Sequence, residues 1–209
     1  MIKRKVQSSD DLLKARILYY DFFAGLFLYD LLESREEILK NQLSVLLPHP
    51  LIESNQLNLD FLHNEILNNG VRNLLKEYTH LFMLPFSIKE TNHKLPYPSI
   101  VLYLSYYLDG SIAGSGLTLS KSKIKKSKFR LNEKSFKENE EHFGFLILFI
   151  KHLLQNNEES LFREVFKECL SPMYSKIIEG MLNMDDSFAY FHVASLLKTF
   201  LELEDSICN

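Results

Sequence analysis

The sequence contains no tryptophan, two cysteines and only seven glycines among its 209 residues. The cysteines, Cys169 and Cys208, lie far apart, so they form neither a disulfide framework nor the paired spacing of a zinc site. This cysteine usage is typical of a reducing cytoplasm. Sixteen phenylalanines and ten tyrosines beside so few glycines indicate many packed aromatic side chains and little loop.

Strong charge of one sign and long apolar runs are also absent. The net charge of −3 gives no electrostatic argument for nucleic acid or for an anionic membrane. The most apolar stretches, 17–32 and 145–154, are too short or too interrupted by charge to span a bilayer. The basic residues 1–5 are not followed by the pattern of a secretory signal. We therefore expect a soluble, cytoplasmic protein with no nucleic-acid partner and no stable membrane insertion.

Apolar side chains recur at helical spacing along most of the chain. In the segment after Glu138, for example, Phe143, Leu146, Ile147 and Ile150 share one face, and phenylalanines fill much of the other. This pattern predicts a helix buried nearly all round, with the acidic run 138–141 in its first turn. No convincing alternation typical of strands is present. The sequence predicts an all-α fold, a single bundle of roughly nine to eleven helices.

We expect the first helix over about 12–32 and the second over 35–47. Further helices are predicted over 59–67, 71–82, 160–170, 172–182 and 187–203, with a helix or buried segment over 100–108.

One stretch breaks this pattern, from Gly110 to Lys128. Three glycines with serines are followed by a run of lysines, and this predicts a mobile hinge loop. The hinge would divide one domain into an N-terminal helical part, 1–109, a hinge or loop, 110–132, and a C-terminal helical part, 133–209. The lysines could contact a phosphate-bearing ligand, but without interleaved aromatic residues a solvated loop is favoured.

Chemistry-bearing motifs are scarce. The seven histidines are scattered without the spacing of a zinc hydrolase, and no nucleophile elbow is present. The glycine run after Leu108 lacks the terminal Gly-Lys-Ser/Thr of a phosphate loop. The sequence therefore predicts no catalytic residue and no metal site.

Two stretches carry more information. Tyr78, Leu81 and Phe82 share one helical face, which alone indicates core packing, whereas the proline-bracketed aromatic residue Tyr97 suits a groove for a peptide. His142 lies where an acidic segment meets an apolar helix. Taken alone, it reads as a hydrogen-bonded structural histidine.

Taken in order, these stretches resemble the TorD/DmsD/NarJ family of redox-enzyme chaperones. The family pattern is a tyrosine or tryptophan, Leu-Phe, a Pro-aromatic-x-Ser segment, and Glu-Pro-x-Asp-His opening a long apolar helix. The corresponding residues are Tyr78, Leu81-Phe82, Pro96-Tyr97-Pro98-Ser99 and Glu138-Asn139-Glu140-Glu141-His142. Three positions depart from it: Asn139 replaces proline, Glu141 replaces aspartate and Leu146 replaces a frequent glutamate.

The resemblance implies a dedicated chaperone and not an enzyme. Such a chaperone binds the twin-arginine signal peptide, or the N-terminus, of a molybdenum-containing oxidoreductase and holds it for cofactor insertion before export. The implied client is the catalytic subunit of a formate dehydrogenase, a dimethyl sulfoxide reductase or a trimethylamine N-oxide reductase. The client carries the molybdopterin cofactor, and the chaperone needs none of its own, although weak guanine-nucleotide binding is associated with the family. The glycine-rich hinge would permit a domain-swapped homodimer.

We expect the peptide groove between the helix of residues 78–82 and the start of the central helix, with Glu138 and Glu141 contacting arginine. The candidate peptide-binding residues are Tyr78, Leu81, Phe82, Pro96, Tyr97, Ser99, Gly110, Glu138, Glu141 and His142. Two alternatives stay open. One is a guanine-nucleotide-binding helical protein, for which the sequence supplies no phosphate cradle. The other is a generic helical interaction domain in which Glu141 and His142 are only structural.

Overall fold

A computed structural model describes residues 9–83, 100–130, 137–183 and 188–208. In these ranges the chain is helical and has no β-strand, as the sequence predicts. The helices are α1 (Ser9–Phe27), α2 (Tyr29–Ser34), α3 (Glu36–Leu46), α4 (Gln56–Asn69), α5 (Arg72–Tyr78), α6 (Leu104–Asp109), α7 (Ser115–Lys126), α8 (Phe143–Gln155), α9 (Glu159–Val165), α10 (Ser171–Leu182) and α11 (Phe188–Cys208). A 3₁₀ turn (Glu53–Asn55) precedes α4, and π-helical turns follow α5 (Thr79–Met83) and α9 (Phe166–Leu170).

Helix α8 forms the centre of the bundle, as its apolar pattern predicts. Phe143, Phe145 and Ile150 are fully buried, and α8 packs most extensively against α1. The close approach requires Gly144, because a Cβ atom there would lie 2.4 Å from the carbonyl oxygen of Phe27. Leu146, at the position where the family often has glutamate, is fully buried in this core.

The prediction of one continuous helix over 12–32 is wrong at Leu28. The backbone of Leu28 is extended (φ −114°, ψ 113°) and separates α1 from α2. The last carbonyl groups of α1 accept hydrogen bonds from tyrosines of other helices: Tyr190 donates to Leu26 (2.7 Å) and Tyr78 donates to Phe27 (3.2 Å). Side-chain donors at a helix end satisfy carbonyls that have no intrahelical partner, so the chain can turn here without leaving them unpaired.

The prediction of a loop over 110–128 is also wrong for most of that stretch, since Ser115–Lys126 forms helix α7. The lysine run is not wholly solvated either. The ammonium group of Lys123 is buried and contacts the carboxylates of Glu164 (2.9 Å) and Glu168 (2.8 Å). Serine and glycine hide the helical pattern of α7 in the sequence, whereas tertiary contacts stabilise it. The division of the chain at 110–132 stays a prediction.

No helix among the described residues is long and apolar enough to cross a membrane.

A buried ion pair joins the first helix, α1, to the last helix, α11. The guanidinium of Arg16 on α1 donates two hydrogen bonds to Glu204 on α11, at 2.8 and 2.9 Å, and the hydroxyl of Tyr20 donates a third at 2.8 Å. The side chains of Arg16 and Glu204 are 10% and 2% exposed. A buried carboxylate of this kind is stable only with its partners, because removing one partner leaves an uncompensated charge.

We predict that Glu204→Ala lowers the free energy of unfolding by about 3–5 kcal/mol, because Arg16 stays buried without its counter-ion. Urea denaturation of the parent and the variant measures the difference. The matched control is Glu202→Ala on the exposed face of the same helix, which should change the free energy by about 0.5 kcal/mol or less. Equal effects of the two variants would contradict this account of the ion pair.

Candidate functional site

Two adjoining cavities lie beside the start of α8. The larger one, here the aromatic cavity, has a volume of about 430 Å³. Its apolar lining consists of Tyr78, Phe82, Met83, Leu102 and Ile112, and its polar lining of Tyr103, Glu138, Asn139 and His142. The smaller one, here the acidic cavity, has a volume of about 290 Å³ and is lined by Leu28, Tyr29, Asp30, Thr79, Met83, Lys137 and Glu138. Met83 and Glu138 line both cavities, so the two form one continuous surface.

Backbone pairing holds the two sides of the aromatic cavity together. The segment before α6 runs antiparallel to the segment before α8, with a bridge between Tyr103 and His142. The amide of Leu104 donates to the carbonyl of Glu141 (3.2 Å), and the amide of Phe143 donates to the carbonyl of Leu102 (2.7 Å). Two polar residues of the cavity, Tyr103 and His142, therefore stand on backbone that is paired by hydrogen bonds.

Glu138 is a carboxylate that a ligand can reach. Its side chain is 24% exposed, and the hydroxyl of Tyr103 donates a 2.6 Å hydrogen bond to its Oε2 atom. Its Oε1 atom has no hydrogen-bond partner among the described residues. Burial, followed by the bond to Glu138, raises the pKa of Tyr103, so this tyrosine remains a donor at neutral pH. One oxygen of Glu138 is thus held in place while the other is free for a ligand.

His142 is the N-cap of α8 and does not belong to its first turn. Its Nδ1 atom accepts a hydrogen bond from the amide of Gly144 (3.2 Å), which places the ring proton on Nε2. The side chain is 2% exposed, and this burial lowers the pKa of His142 to about 4. The imidazole is therefore neutral at pH 7. The 4.0 Å separation between its Nε2 atom and Oε2 of Glu138 is too long for a hydrogen bond and is not an ion pair at that pH.

The predicted position of the acidic residues in the first turn of α8 is wrong, because α8 begins at Phe143. Glu141 is fully buried, and its carboxylate accepts hydrogen bonds from the amides of Ser105 (2.7 Å) and Ala113 (2.8 Å) and from the Ser105 hydroxyl. The hydroxyl of Ser105 in turn accepts from the amide of Gly114 (2.8 Å). Both carboxylate oxygens of Glu141 are therefore engaged inside the protein, so a direct contact with a client arginine does not fit this geometry.

The bond from Glu141 also shapes one wall of the aromatic cavity. Ala113 has a positive φ of 61°, a conformation that costs energy for a residue with a Cβ atom. Glu141 holds its amide in that conformation. The preceding residue, Ile112, is 50% exposed and lines the cavity. Glu141 thereby fixes the loop that carries the apolar wall residue Ile112.

Among the candidate residues of the aromatic stripe, Tyr78 and Phe82 line the aromatic cavity, whereas Leu81 is fully buried in the core. The rings of Tyr78 and Phe82 meet edge to face at 4.9 Å. Because the hydroxyl of Tyr78 is bonded to α1, this residue offers its ring edge and not its hydroxyl to the cavity.

The remaining candidates lie elsewhere. Gly110 ends α6 in the left-handed conformation (φ 71°), close in sequence to the wall residue Ile112. Pro96, Tyr97 and Ser99 lie outside the described residues. The structure thus brings together Tyr78, Phe82, Glu138 and His142, as expected from the sequence, and leaves their binding role a prediction.

A comparison with protein families identifies the chain. The sequence model of the family described as nitrate reductase delta subunit matches residues 47–179, more than half of the chain. The chain belongs to this family. No curated protein and no solved structure matches it significantly.

The nitrate reductase delta subunit family is a family of molybdoenzyme-maturation chaperones that act with molybdoenzyme catalytic subunits, and it is not a catalytic family. This membership confirms the resemblance to the TorD/DmsD/NarJ group. The matched range contains every candidate residue from Tyr78 to His142. In the part of this family member that the structure describes, no cluster of His, Cys, Asp or Glu could hold a metal ion.

Several residues that line the cavities are not among the candidates predicted from the sequence, including Asp30, Met83, Tyr103 and Ile112. Tyr103 lies in the segment predicted as helical or buried, and Ile112 lies in the stretch predicted as a hinge loop. Asp30 lies inside the predicted first helix, and only the break at Leu28 places it beside the cavity. No local signal in the sequence announces that break.

The buried, neutral His142 predicts a specific pH dependence of folding. An unfolded histidine has a pKa of about 6.5, so the unfolded chain takes up a proton at His142 while the folded one does not as pH falls from about 6.5 to 4. The contribution of the neutral His142 to the free energy of unfolding is fully present above that pH range. It is lost as the pH falls through the range, and the loss is about 3 kcal/mol at most. The variant His142→Asn keeps a capping side chain but cannot titrate.

We therefore expect the free energy of unfolding of His142→Asn to fall less than that of the parent between pH 7 and pH 4, as measured by urea denaturation at both values. The variant His49→Asn, at an exposed position, controls for the loss of a histidine as such. A pH dependence of His142→Asn that equals the parent's would contradict the buried neutral imidazole.

Proposed function

We propose that this family member binds the twin-arginine signal peptide, or the N-terminal segment, of a molybdoenzyme catalytic subunit in the two joined cavities. It holds the subunit in the cytoplasm while the molybdopterin cofactor is inserted, before export. One observation carries the proposal: the carboxylate of Glu138, oriented by Tyr103, lies where an apolar cavity meets an acidic one.

The chemistry of such a leader matches this surface. A leader offers adjacent guanidinium groups and an apolar stretch. A guanidinium binds a carboxylate through parallel, charge-assisted hydrogen bonds, and Glu138 has an oxygen free to accept one. The rings of Tyr78 and Phe82 with the side chains of Met83 and Ile112 give apolar side chains a place to be buried.

In this proposal Glu138 and Glu141 have different functions. Glu138 contacts the client arginine. Glu141, whose oxygens are already engaged by Ser105 and Ala113, positions the wall of the cavity. His142 fixes the start of α8 through its cap and presents its Nε2 proton to the same cavity.

The guanine-nucleotide alternative has less support. Both cavities are lined by carboxylates, Asp30 and Glu138, which repel phosphate groups. A generic interaction domain remains the competing explanation, and it differs in one respect: it predicts no dependence of binding on arginine in the partner.

Calorimetric titration with synthetic leaders tests the proposal. Formate dehydrogenase, dimethyl sulfoxide reductase and trimethylamine N-oxide reductase leaders are the first candidates, and the family's description adds nitrate reductase. We expect at least one leader to bind the parent protein. The same leader with both arginines changed to glutamine should lose at least about tenfold in affinity, because a charge-assisted bond is lost. Absence of binding by every leader would refute the proposal.

A charge-neutral variant locates the contact. We predict that Glu138→Gln weakens leader binding by about tenfold or more, since the amide loses the charge of the carboxylate. The control is Glu140→Gln, two residues away, whose side chain has nearly the same exposure (21% against 24%) but does not line either cavity. Glu140→Gln should bind like the parent. If the two variants bind the leader with equal affinity, Glu138 does not contact the arginine.

A further inference from the structure

The acidic cavity contains a second carboxylate, Asp30, in the first turn of α2. Its Oδ1 atom accepts a 2.8 Å hydrogen bond from the ammonium group of Lys137. No hydrogen-bond partner of its Oδ2 atom is found among the described residues. Asp30 is 32% exposed at its side chain, so a ligand can reach it.

Lys137 directly precedes Glu138, and both residues line the acidic cavity. The main chain of Lys137 therefore lies beside Glu138, while its side chain reaches Asp30 on another element. The ammonium group of Lys137 lies at the edge of the acidic cavity and bonds to Asp30, next to the carboxylate that we propose as the arginine contact.

The bond between Lys137 and Asp30 is weak enough to be exchanged. The side chain of Lys137 is 80% exposed, and ion pairs this exposed contribute little because water screens their charges. A lysine ammonium is a point charge that engages one carboxylate oxygen here, whereas an arginine guanidinium can engage both oxygens in parallel. An incoming arginine would gain the second hydrogen bond that Lys137 does not make.

We propose that Asp30 binds a second arginine of the client and that Lys137 occupies this position in the free protein, as an internal competitor that the client displaces. This inference rests on the proposed function and deepens it. Adjacent side chains of an extended peptide point to opposite sides. Glu138 and Asp30 stand on different elements of one cavity, so one guanidinium of the client reaches Glu138 and the other reaches Asp30.

Substitution of Lys137 tests whether this side chain competes with the client. Lys137→Gln should bind a twin-arginine leader about twofold to fivefold more tightly than the parent, because the client no longer displaces a bound cation. Lys121→Gln is the control: it removes the same charge from another exposed lysine, whose closest carboxylate among the described residues is 4.0 Å away, at Glu140. It should bind with the affinity of the parent. An equal gain in both variants would mean a general charge effect and would overturn the inference.

The variant Asp30→Asn, titrated with leaders in which each arginine is changed in turn, tests whether Asp30 binds the second arginine. Asp30→Asn should weaken binding of the Arg-Arg leader about tenfold and should abolish the gain from Lys137→Gln in the double variant. It should also bind the Arg-Arg leader and one Arg-Lys or Lys-Arg leader almost equally, whereas the parent prefers Arg-Arg. Glu53→Gln, at an exposed position that lines neither cavity, is the control and should keep the parent's preference.

The outcomes separate this inference from the function on which it rests. Weaker binding by Glu138→Gln together with parent-like binding by Asp30→Asn would leave the proposed function standing and overturn the second arginine position. Loss of the Lys137→Gln gain in the Asp30→Asn/Lys137→Gln double variant, with the binding of Glu53→Gln unchanged, supports the second arginine position. Failure of every leader to bind the parent protein overturns both.

Discussion

The candidate site depends on the hydrogen bonds that the carboxylate of Glu141 accepts. This carboxylate is fully buried, so its charge is tolerated only because amide and hydroxyl donors of the 105–113 segment surround it. Those same bonds join that segment to the start of α8. Tyr103 and Ile112, which face the aromatic cavity, are thereby held against the start of α8, and the hydroxyl of Tyr103 in turn holds one oxygen of Glu138. Gly116 permits this contact, since a Cβ atom there would lie 2.9 Å from Oε2 of Glu141.

A rigid core supports this junction. Helix α8 packs on α1 across Gly144, and the hydroxyls of Tyr78 and Tyr190 satisfy the carbonyl groups at the end of α1. The aromatic wall of the cavity is therefore part of the core, and its polar wall stands on a capped helix start. A surface that is fixed before binding loses less conformational entropy when it captures an extended peptide. The two carboxylates that face the cavities remain partly exposed at their side chains, and the one that builds the junction does not.

The sequence predicts the helical class, the buried central helix and the neighbourhood of Tyr78, Phe82, Glu138 and His142, because these follow from apolar periodicity and from the ordered motifs of the family. It does not predict the break at Leu28 or helix α7. Both depend on tertiary contacts: tyrosines from distant helices end α1, and buried contacts such as that of Lys123 stabilise a helix with weak intrinsic propensity. The burial of Glu141 and its hydrogen bonds are not predictable for the same reason, since its partners lie 28 and 36 residues away.

The most direct test of this account is to observe where a leader binds. Met83 lines both cavities and is 42% exposed, whereas Met173 and Met181 are fully buried in the core. With ¹³C-labelled methionine methyl groups, titration with a twin-arginine leader should shift the Met83 resonance, with the same dissociation constant as calorimetry gives, and should leave those of Met173 and Met181 in place. Leader binding that saturates by calorimetry without any change at Met83 would contradict the assignment of the peptide to these cavities.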